Sequence, residues 1–332
     1  MFHQQLNYQF DYVTLKVQNA KREKRLLKEM GANHSLPIRK KRLEKGRFDN
    51  FYYVSCAMQG WRPSMEDRFA NYIDTTRSRK FFGVYDGHAG SHTASQLSEC
   101  LHFLISETDE YKTSKFLKND ANESNAPNKL LPAITNGFIA MDNKLADDQR
   151  IQIDISGSTG ILLLINESNH LYAAGLGDSR AVISHQGHAQ HLSKDHLPTD
   201  PSEFARIKAA GGFVANERVN GSLAMSRAFG DFIFKQNTDL PLEDQGVCCR
   251  PDIRHRVIDF DKDEFMVIGS DGIWEVLSEQ EVVNFIRSRM AKQVNIEDIA
   301  MQLLDSCITD DVIFEVDKLR VVFFTLACKF VP

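Results

Sequence analysis

The sequence lacks several features that would assign it to a class directly. Its six cysteines (Cys56, Cys100, Cys248, Cys249, Cys307 and Cys328) form no C-x-x-C pair. That argues against a zinc ribbon or dithiol redox site and leaves reduced, mostly buried thiols in a cytoplasmic or nuclear protein. No stretch approaches the ~20 apolar residues of a membrane span; the longest runs, such as Ile161–Ile165 and Val321–Phe324, are strand length. The first residues, MFHQQLNYQFDY, lack the positive-then-apolar pattern of a secretory leader. No repeat and no Pro/Gly-rich linker divides residues 51–332, so that stretch is expected to be one domain.

What is present is uneven in charge. The chain carries a net −5, yet residues 1–50 hold 12 Lys/Arg against 5 Asp/Glu, a local +7, so the other 282 residues carry −12. A basic arm on an acidic body is the wrong layout for a nucleic-acid enzyme, whose cations should line the working face. An acidic body suits a cation-binding centre. The arm, 1–50, is read as solvated and partly flexible, with Arg39-Lys40-Lys41-Arg42 a weak nuclear-import pattern. Met30-Gly31-Ala32-Asn33-His34-Ser35 matches the N-myristoylation pattern, but as written Gly31 is internal and cannot be acylated. Membrane association through the arm is the associated expectation, and a monomer is the default.

Strand signals fall at Phe51–Met58, Arg68–Ile73, Lys80–Tyr85, Gly160–Ile165, His170–Ala174, Ala181–Ser184, Glu264–Ile268 and Val321–Lys329. Helical spacing falls at 90–107, Leu130–Leu145, Pro201–Ala210, Ser278–Arg289 and Ile296–Cys307. The elements come in blocks rather than strict alternation, which predicts an α+β fold of antiparallel sheets with helices outside. Two acids stand directly after apolar strands: Asp86 in YDGH after KFFGVY, and Asp271 in GSDG after EFMVI, while Glu66-Asp67 precede a third strand. Each D-G alone reads as a turn. Together they suggest carboxylates gathered at strand ends, which repel unless cations join them. With no Cys/His cluster nearby, oxygen ligands suit magnesium or manganese rather than zinc.

At this point the chain resembles the metal-dependent serine/threonine protein phosphatases of type 2C. Eight blocks run in that family's order: MQGWRPSMED at 58–67, FFGVYDGHAG at 81–90, SGST at 156–159, GDSRAV at 177–182, LSKDH at 192–196, AGGFV at 210–214, RVNGSLAMSRAFGD at 218–231 and DEFMVIGSDGIWEVLS at 263–278. The resemblance implies a four-layer α-β-β-α sandwich, two mostly antiparallel sheets flanked by helices, with a metal cleft at one edge and a flap-like excursion over 213–240. It implies phosphoserine/phosphothreonine proteins as substrates and two Mg2+ or Mn2+ ions. Asp86 would bridge both, Gly87 would offer its carbonyl, Asp271 would bind directly, and Glu66 and Asp67 would hold metal-bound waters. Arg62 would grip the phosphate, for which a bidentate guanidinium is suited, and His88 is the family's candidate general acid. A weaker third ion, bound in some members, would use Asp154, Asp271 and Glu275; Glu275 stands where the family has Asp and sets its oxygens roughly a bond length further out.

The family's last ligand is an aspartate just before the final strand. Counting back from Val321–Phe324 gives Asp317, followed by Lys318 in place of the usual Asn; counting forward from Cys307 gives Asp310 or Asp311. Lys318 would repel cations unless its stem carries the ammonium outward. A catalytically weak or inactive phosphatase-fold protein that binds phosphoproteins is therefore the alternative reading. The C-x5-R spacing of thiol phosphatases occurs at Cys56…Arg62 and Cys248…Arg254, but one interior has a single Gly and the other a Pro and none, so a thiol nucleophile is set aside. Asp178, in a turn, and Asp195-His196 are read as structural hydrogen-bonding groups, and Trp61 and Trp274 as packing residues.

Overall fold

The structure is a computed structural model, and it describes residues 36–48, 51–114, 127–148, 155–308 and 322–329. Two sheets carry the fold. The first has six strands in the spatial order β1 (Ile38–Phe48), β2 (Phe51–Gly60), β16 (Val322–Lys329), β15 (Asp263–Gly269), β9 (Arg180–His185) and β10 (His188–His191). The second has five: β14 (Asp252–Val257), β8 (His170–Leu176), β7 (Gly160–Ile165), β4 (Arg79–Tyr85) and β3 (Arg68–Asp74). Two small ladders join β13 (Phe229–Gly230), β6 (Gly157–Ser158) and β5 (Gly87–His88), and β11 (Val214–Ala215) with β12 (Arg218–Val219). Every paired strand in both large sheets is antiparallel.

The central strands read as unbroken apolar runs because both of their faces are covered. Side chains alternate across a sheet, and the alternation sorts the residues into three cores. Phe82, Val84, Ile161 and Leu163 meet Ala57, Ile183, Met266 and Ile268 between the sheets. Phe81, Tyr85, Leu162 and Leu164 point the other way, onto α1 (His92–Glu107) and α3 (Pro127–Asp147) through Leu97, Leu101, Ile134 and Phe138. Cys56, Met58, Val182 and Val267 cover the outer face of the first sheet and pack on α6 (Glu279–Met290) and α7 (Ile296–Ser306). Helix, sheet, sheet and helix form the four layers expected. The remaining helices are short: α2 (Asp109–Thr113), α4 (Pro201–Ala209) and α5 (Asp271–Trp274). None among the described residues is long and apolar enough to cross a membrane.

One expectation is corrected. IRKKRLEKGRF does not hang off the body as a solvated arm; it is strand β1, paired along β2 from Ile38↔Gly60 to Phe48↔Phe51. Its charges are partnered across the sheet face by α7, where Lys41 Nζ lies 2.6 Å from Asp305 and Lys45 Nζ 2.5 Å from Glu297. The β14 strand was also not anticipated: only Ile253 of its six residues packs on a core, so DIRHRV carries little apolar signal. The Met30–Ser35 pattern lies outside the described residues.

Helix α6 begins with a reciprocal cap. The Ser278 hydroxyl accepts from the Glu281 amide at 3.3 Å, and Glu281 Oε2 accepts from the Ser278 amide at 2.8 Å. Such a box satisfies two otherwise orphaned donors. Ser278→Ala is expected to lower the unfolding free energy by about 1 kcal/mol, read as a shift of the urea midpoint with an unchanged slope.

Candidate active site

Four strand ends open on one edge of the sandwich, and each delivers an acid. The chain enters β3 through Arg62–Asp67, and Arg68 pairs with Tyr85 of β4, so Asp67 and Asp86 sit just beyond a matched pair. On the other sheet Gly269 of β15 pairs with Arg180 of β9, which sets Asp271 and Asp178 side by side past the ends of their strands. The residues after β4 fold back at once: Gly87 and His88 form β5 against Ser158 and Gly157, and the Asp86 carbonyl accepts from the Thr159 amide at 2.9 Å and the Ser158 hydroxyl at 3.1 Å. Gly87 is required here, because a Cβ would lie 2.6 Å from the Glu66 carbonyl oxygen. That close approach pins the Glu66-Asp67 turn to the Asp86 turn.

The carboxylates interact strongly. Burial first, then the charge of Asp271, raises the pKa of Asp67 and so holds back its ionisation. Burial, followed by Asp67, Asp271 and Asp178, pushes Asp86 well up. Asp178 is raised by burial and then by Asp271 and Asp195. So many ionised oxygens cannot be withdrawn from water together without compensation; the Arg62 guanidinium offsets part of the penalty on Asp67. Asp67 Oδ2 is buried with no hydrogen-bond partner among the described residues.

An orphaned oxygen inside a repelling cluster is what hard divalent cations relieve. Among the described residues no three acid, imidazole or thiol groups close on one ion-sized point. Magnesium-type binding needs only one or two carboxylates per ion, with water completing the octahedron. The donor set is all oxygen, so the residues fit Mg2+ or Mn2+ and do not fit zinc.

Asp178 keeps the backbone hydrogen bond expected of a turn residue, and its carboxylate also meets the charges of Asp271 and Asp195. The reading of Asp195 and His196 as structural groups agrees with their contacts. Asp195 takes a two-pronged bond from Arg180 at 2.8 and 2.8 Å, and His196 Nδ1 accepts from the Gly177 amide at 3.1 Å. Trp274 packs in the helix-side core and donates its indole N–H to the Gly269 carbonyl at 2.9 Å, and Trp61 packs against the same core.

His88 has a partner the motif reading passed over. Its Nε2 lies 2.7 Å from Oδ2 of buried Asp231. Burial pulls the imidazole down, but the Asp231 bond and charge, with Asp178 and Glu66 behind them, leave it raised. Asp231 closes the SRAFGD block and is held in the left-handed region at φ 52°. Its turn is set by β13 pairing with β6, Gly230 opposite Gly157. Gly157 itself backs the pair so closely that a Cβ there would overlap both His88 Nε2 and Asp231 Oδ2. The available signal was the Gly-Asp ending of that block, the same dipeptide that ends at Asp178.

Arg62 is exposed on the rim, its carbonyl accepting from Gln59 Nε2 at 2.9 Å. Glu66 accepts from the Ser64 hydroxyl at 2.9 Å. Glu275 is exposed one turn beyond Asp271, whose carbonyl accepts the Glu275 amide at 3.0 Å. Asp154, Asp310, Asp311, Asp317 and Lys318 lie outside the described residues. The structure therefore brings together Asp67, Asp86, Gly87, His88 and Asp271 with Glu66 and Arg62 beside them, and adds Asp178 and Asp231.

Comparison with known proteins follows the same lines. A family model described as "Protein phosphatase 2C" matches residues 51–313. "Protein phosphatase 2C homolog 2" of Schizosaccharomyces pombe is 39% identical over 288 residues, covering 85% of this chain and 74% of that protein. A protein of the same description from Hypocrea jecorina is 38% identical, and the match covers 85% of this chain but 63% of the relative's length. Among solved structures, a serine-threonine phosphatase 2C from Toxoplasma gondii superposes with a TM-score of 0.71 at 18% identity, over 90% of this chain and 98% of that one. Another phosphatase from the same organism gives 0.70 at 22%, over 87% and 96%. At these identities the structural matches speak for the fold.

Proposed function

The chain belongs to the protein phosphatase 2C family, and from that premise we propose that it hydrolyses phosphoserine and phosphothreonine in other proteins with two Mg2+ or Mn2+ ions. The observation that carries this is the meeting of Asp67, Asp86, Asp178 and Asp271 from four strand ends. Asp86 and Asp271 would hold the ions, with the Gly87 carbonyl beside Asp86 and with Glu66, Asp67 and Asp178 binding their water shell. Two such ions supply an acidified water and neutralise phosphoryl charge.

The protein's own groups do the rest. Arg62, exposed at the rim, takes two oxygens of the incoming phosphate and orients it over the acids. His88 has Nε2 committed to Asp231, so Nδ1 is the nitrogen left to pass a proton to the departing serine or threonine oxygen. The raised basicity of the ring keeps that proton available near neutral pH, as a general acid requires. Buried Asp231 fixes the ring's orientation, so the donor need not be found by rotation.

The test is phosphate release from a phosphothreonine peptide with Mn2+ or Mg2+, with and without chelator. Release that depends on the added metal supports the reading. Release undiminished after exhaustive chelation overturns the two-ion mechanism, and binding without release supports the inactive alternative.

A further inference from the structure

Beside the acid cluster, at the β1 edge of the sandwich, a cavity opens that shares Asp67 with it. It has a volume of about 200 Å3 and is lined by Lys40, Arg42, Arg68, Met65, Phe69 and Asp67, with Gln59 at its wall. That is smaller than the roughly 300–1,000 Å3 of a cofactor or drug-sized pocket, and about right for the end of one charged side chain.

The cations reach this slot because of how β1 pairs. Lys41 stands opposite Met58, a helix-side core residue, and turns to Asp305 of α7. Arg42 stands opposite Ala57, an inter-sheet core residue, and so faces the slot, its guanidinium 4.9 Å from the centre of the Phe69 ring. Lys40, two residues before Arg42 and so on the same face of the strand, lines the same cavity. Arg68 is anchored by Nη1, which donates to the Met65 and Asp67 carbonyls at 2.8 Å each.

The charge on the two faces of β1 is therefore unequal. Helix-side cations pair with α7 carboxylates, while Lys40 and Arg42 are exposed and have no carboxylate within ion-pair distance among the described residues. Asp67 is the single acid lining the slot, and its charge is already partly offset by Arg62. Lys41 also borders the cavity but is paired with Asp305; the other three lining cations, Lys40, Arg42 and Arg68, stand against one lining carboxylate and leave the cavity electropositive. It also touches the catalytic apparatus twice: Asp67 is shared, and Gln59 hydrogen-bonds the Arg62 carbonyl at 2.9 Å.

We propose that this slot is a substrate subsite for an anionic group, carboxylate or phosphate, carried a few residues from the phosphorylated serine or threonine. The inference rests on the phosphatase reading for its substrate class, and on the unpaired cations for its chemistry. Arg42, placed over the Phe69 ring, and Lys40 would receive the anion while Arg62 receives the phosphate to be removed.

The experiment uses the full chain with Mn2+ and a set of phosphothreonine peptides. One is neutral around the phosphoresidue, and the others carry a single Glu or a single phosphoserine at successive flanking positions. Binding is read by fluorescence anisotropy and turnover by kcat/KM. The wild type is expected to favour at least one acidic register over the neutral peptide about tenfold. In Lys40→Glu/Arg42→Glu that ratio is expected to fall about tenfold or more, chiefly through KM, and in the wild type it should shrink with added salt. Lys40→Gln/Arg42→Gln, which removes charge without reversing it, guards against misfolding and should give an intermediate ratio. Preference for phosphoserine alone, or for Glu as well, identifies which anion the slot takes. A wild type indifferent to every register, or variants that keep the preference, overturns the subsite. Preserved binding preference with no turnover in metal overturns the phosphatase reading instead and leaves the subsite standing.

Discussion

Asp86→Asn is expected to cut phosphate release from a phosphothreonine peptide at least a thousandfold while raising the melting temperature of the chelator-treated protein. The two effects share one cause. Asp86 stands among Asp67, Asp178 and Asp271, and burial and those charges all oppose its ionisation. Without cations the fold carries that repulsion as a cost; an amide of the same shape removes one charge and keeps the hydrogen-bonding volume. Relief of about 1–2 kcal/mol is reasonable for one like charge in a partly buried cluster. In a chain of this size, with an unfolding entropy of roughly 0.7 kcal/mol/K, that corresponds to about 1.5–3 °C.

With Mn2+ present the order should reverse. Cations that bind the native state stabilise it by mass action, and a protein lacking its bridging carboxylate has less to gain. Thermal melts of both proteins, in chelator and in Mn2+, would therefore cross. A variant that melts lower than wild type in chelator, or that keeps its activity in metal, would show that Asp86 is an ordinary structural acid.

How far the sequence disclosed this site depends on the range of the contacts involved. Asp86 and Asp271 were legible because each directly follows a strand whose unbroken apolar run announces burial on both faces, and the sandwich explains why FFGVY and FMVIG contain no polar alternation. Asp178 was not, since its role comes from the pairing of Gly269 with Arg180, 89 positions apart in the chain. Asp231 depends likewise on β13 meeting β6 across Gly157 and Gly230. The same reason hid β1. Leu43 is its only described aliphatic in the helix-side core, and its lysines look solvated until α7 supplies Asp305 and Glu297 from more than 250 residues away. Local pattern reports burial well; it does not report which distant charge will stand opposite.

The second large effect is expected from a single methyl group. Gly157→Ala should lower kcat/KM on a phosphothreonine peptide about a hundredfold, within the range that general acid catalysis contributes. The residue is in a short extended ladder that accommodates alanine's backbone, so the cost is local: its Cβ would occupy the space of His88 Nε2 and Asp231 Oδ2. One of the two must leave, and with it goes the bond that orients the imidazole. Unfolding free energy should change much less than activity.

The leaving group makes the prediction specific. An alkoxide from threonine needs a proton as it departs, whereas p-nitrophenolate leaves well without one. The loss on p-nitrophenyl phosphate should therefore be under about fivefold, and adding Gly157→Ala to His88→Ala should cost little more on either substrate, because the pair it disrupts is already gone. Equal losses on both substrates would mean that His88 and Asp231 shape the cleft without delivering a proton. A steep additional loss in the double variant would place the methyl group's damage at the acid cluster instead.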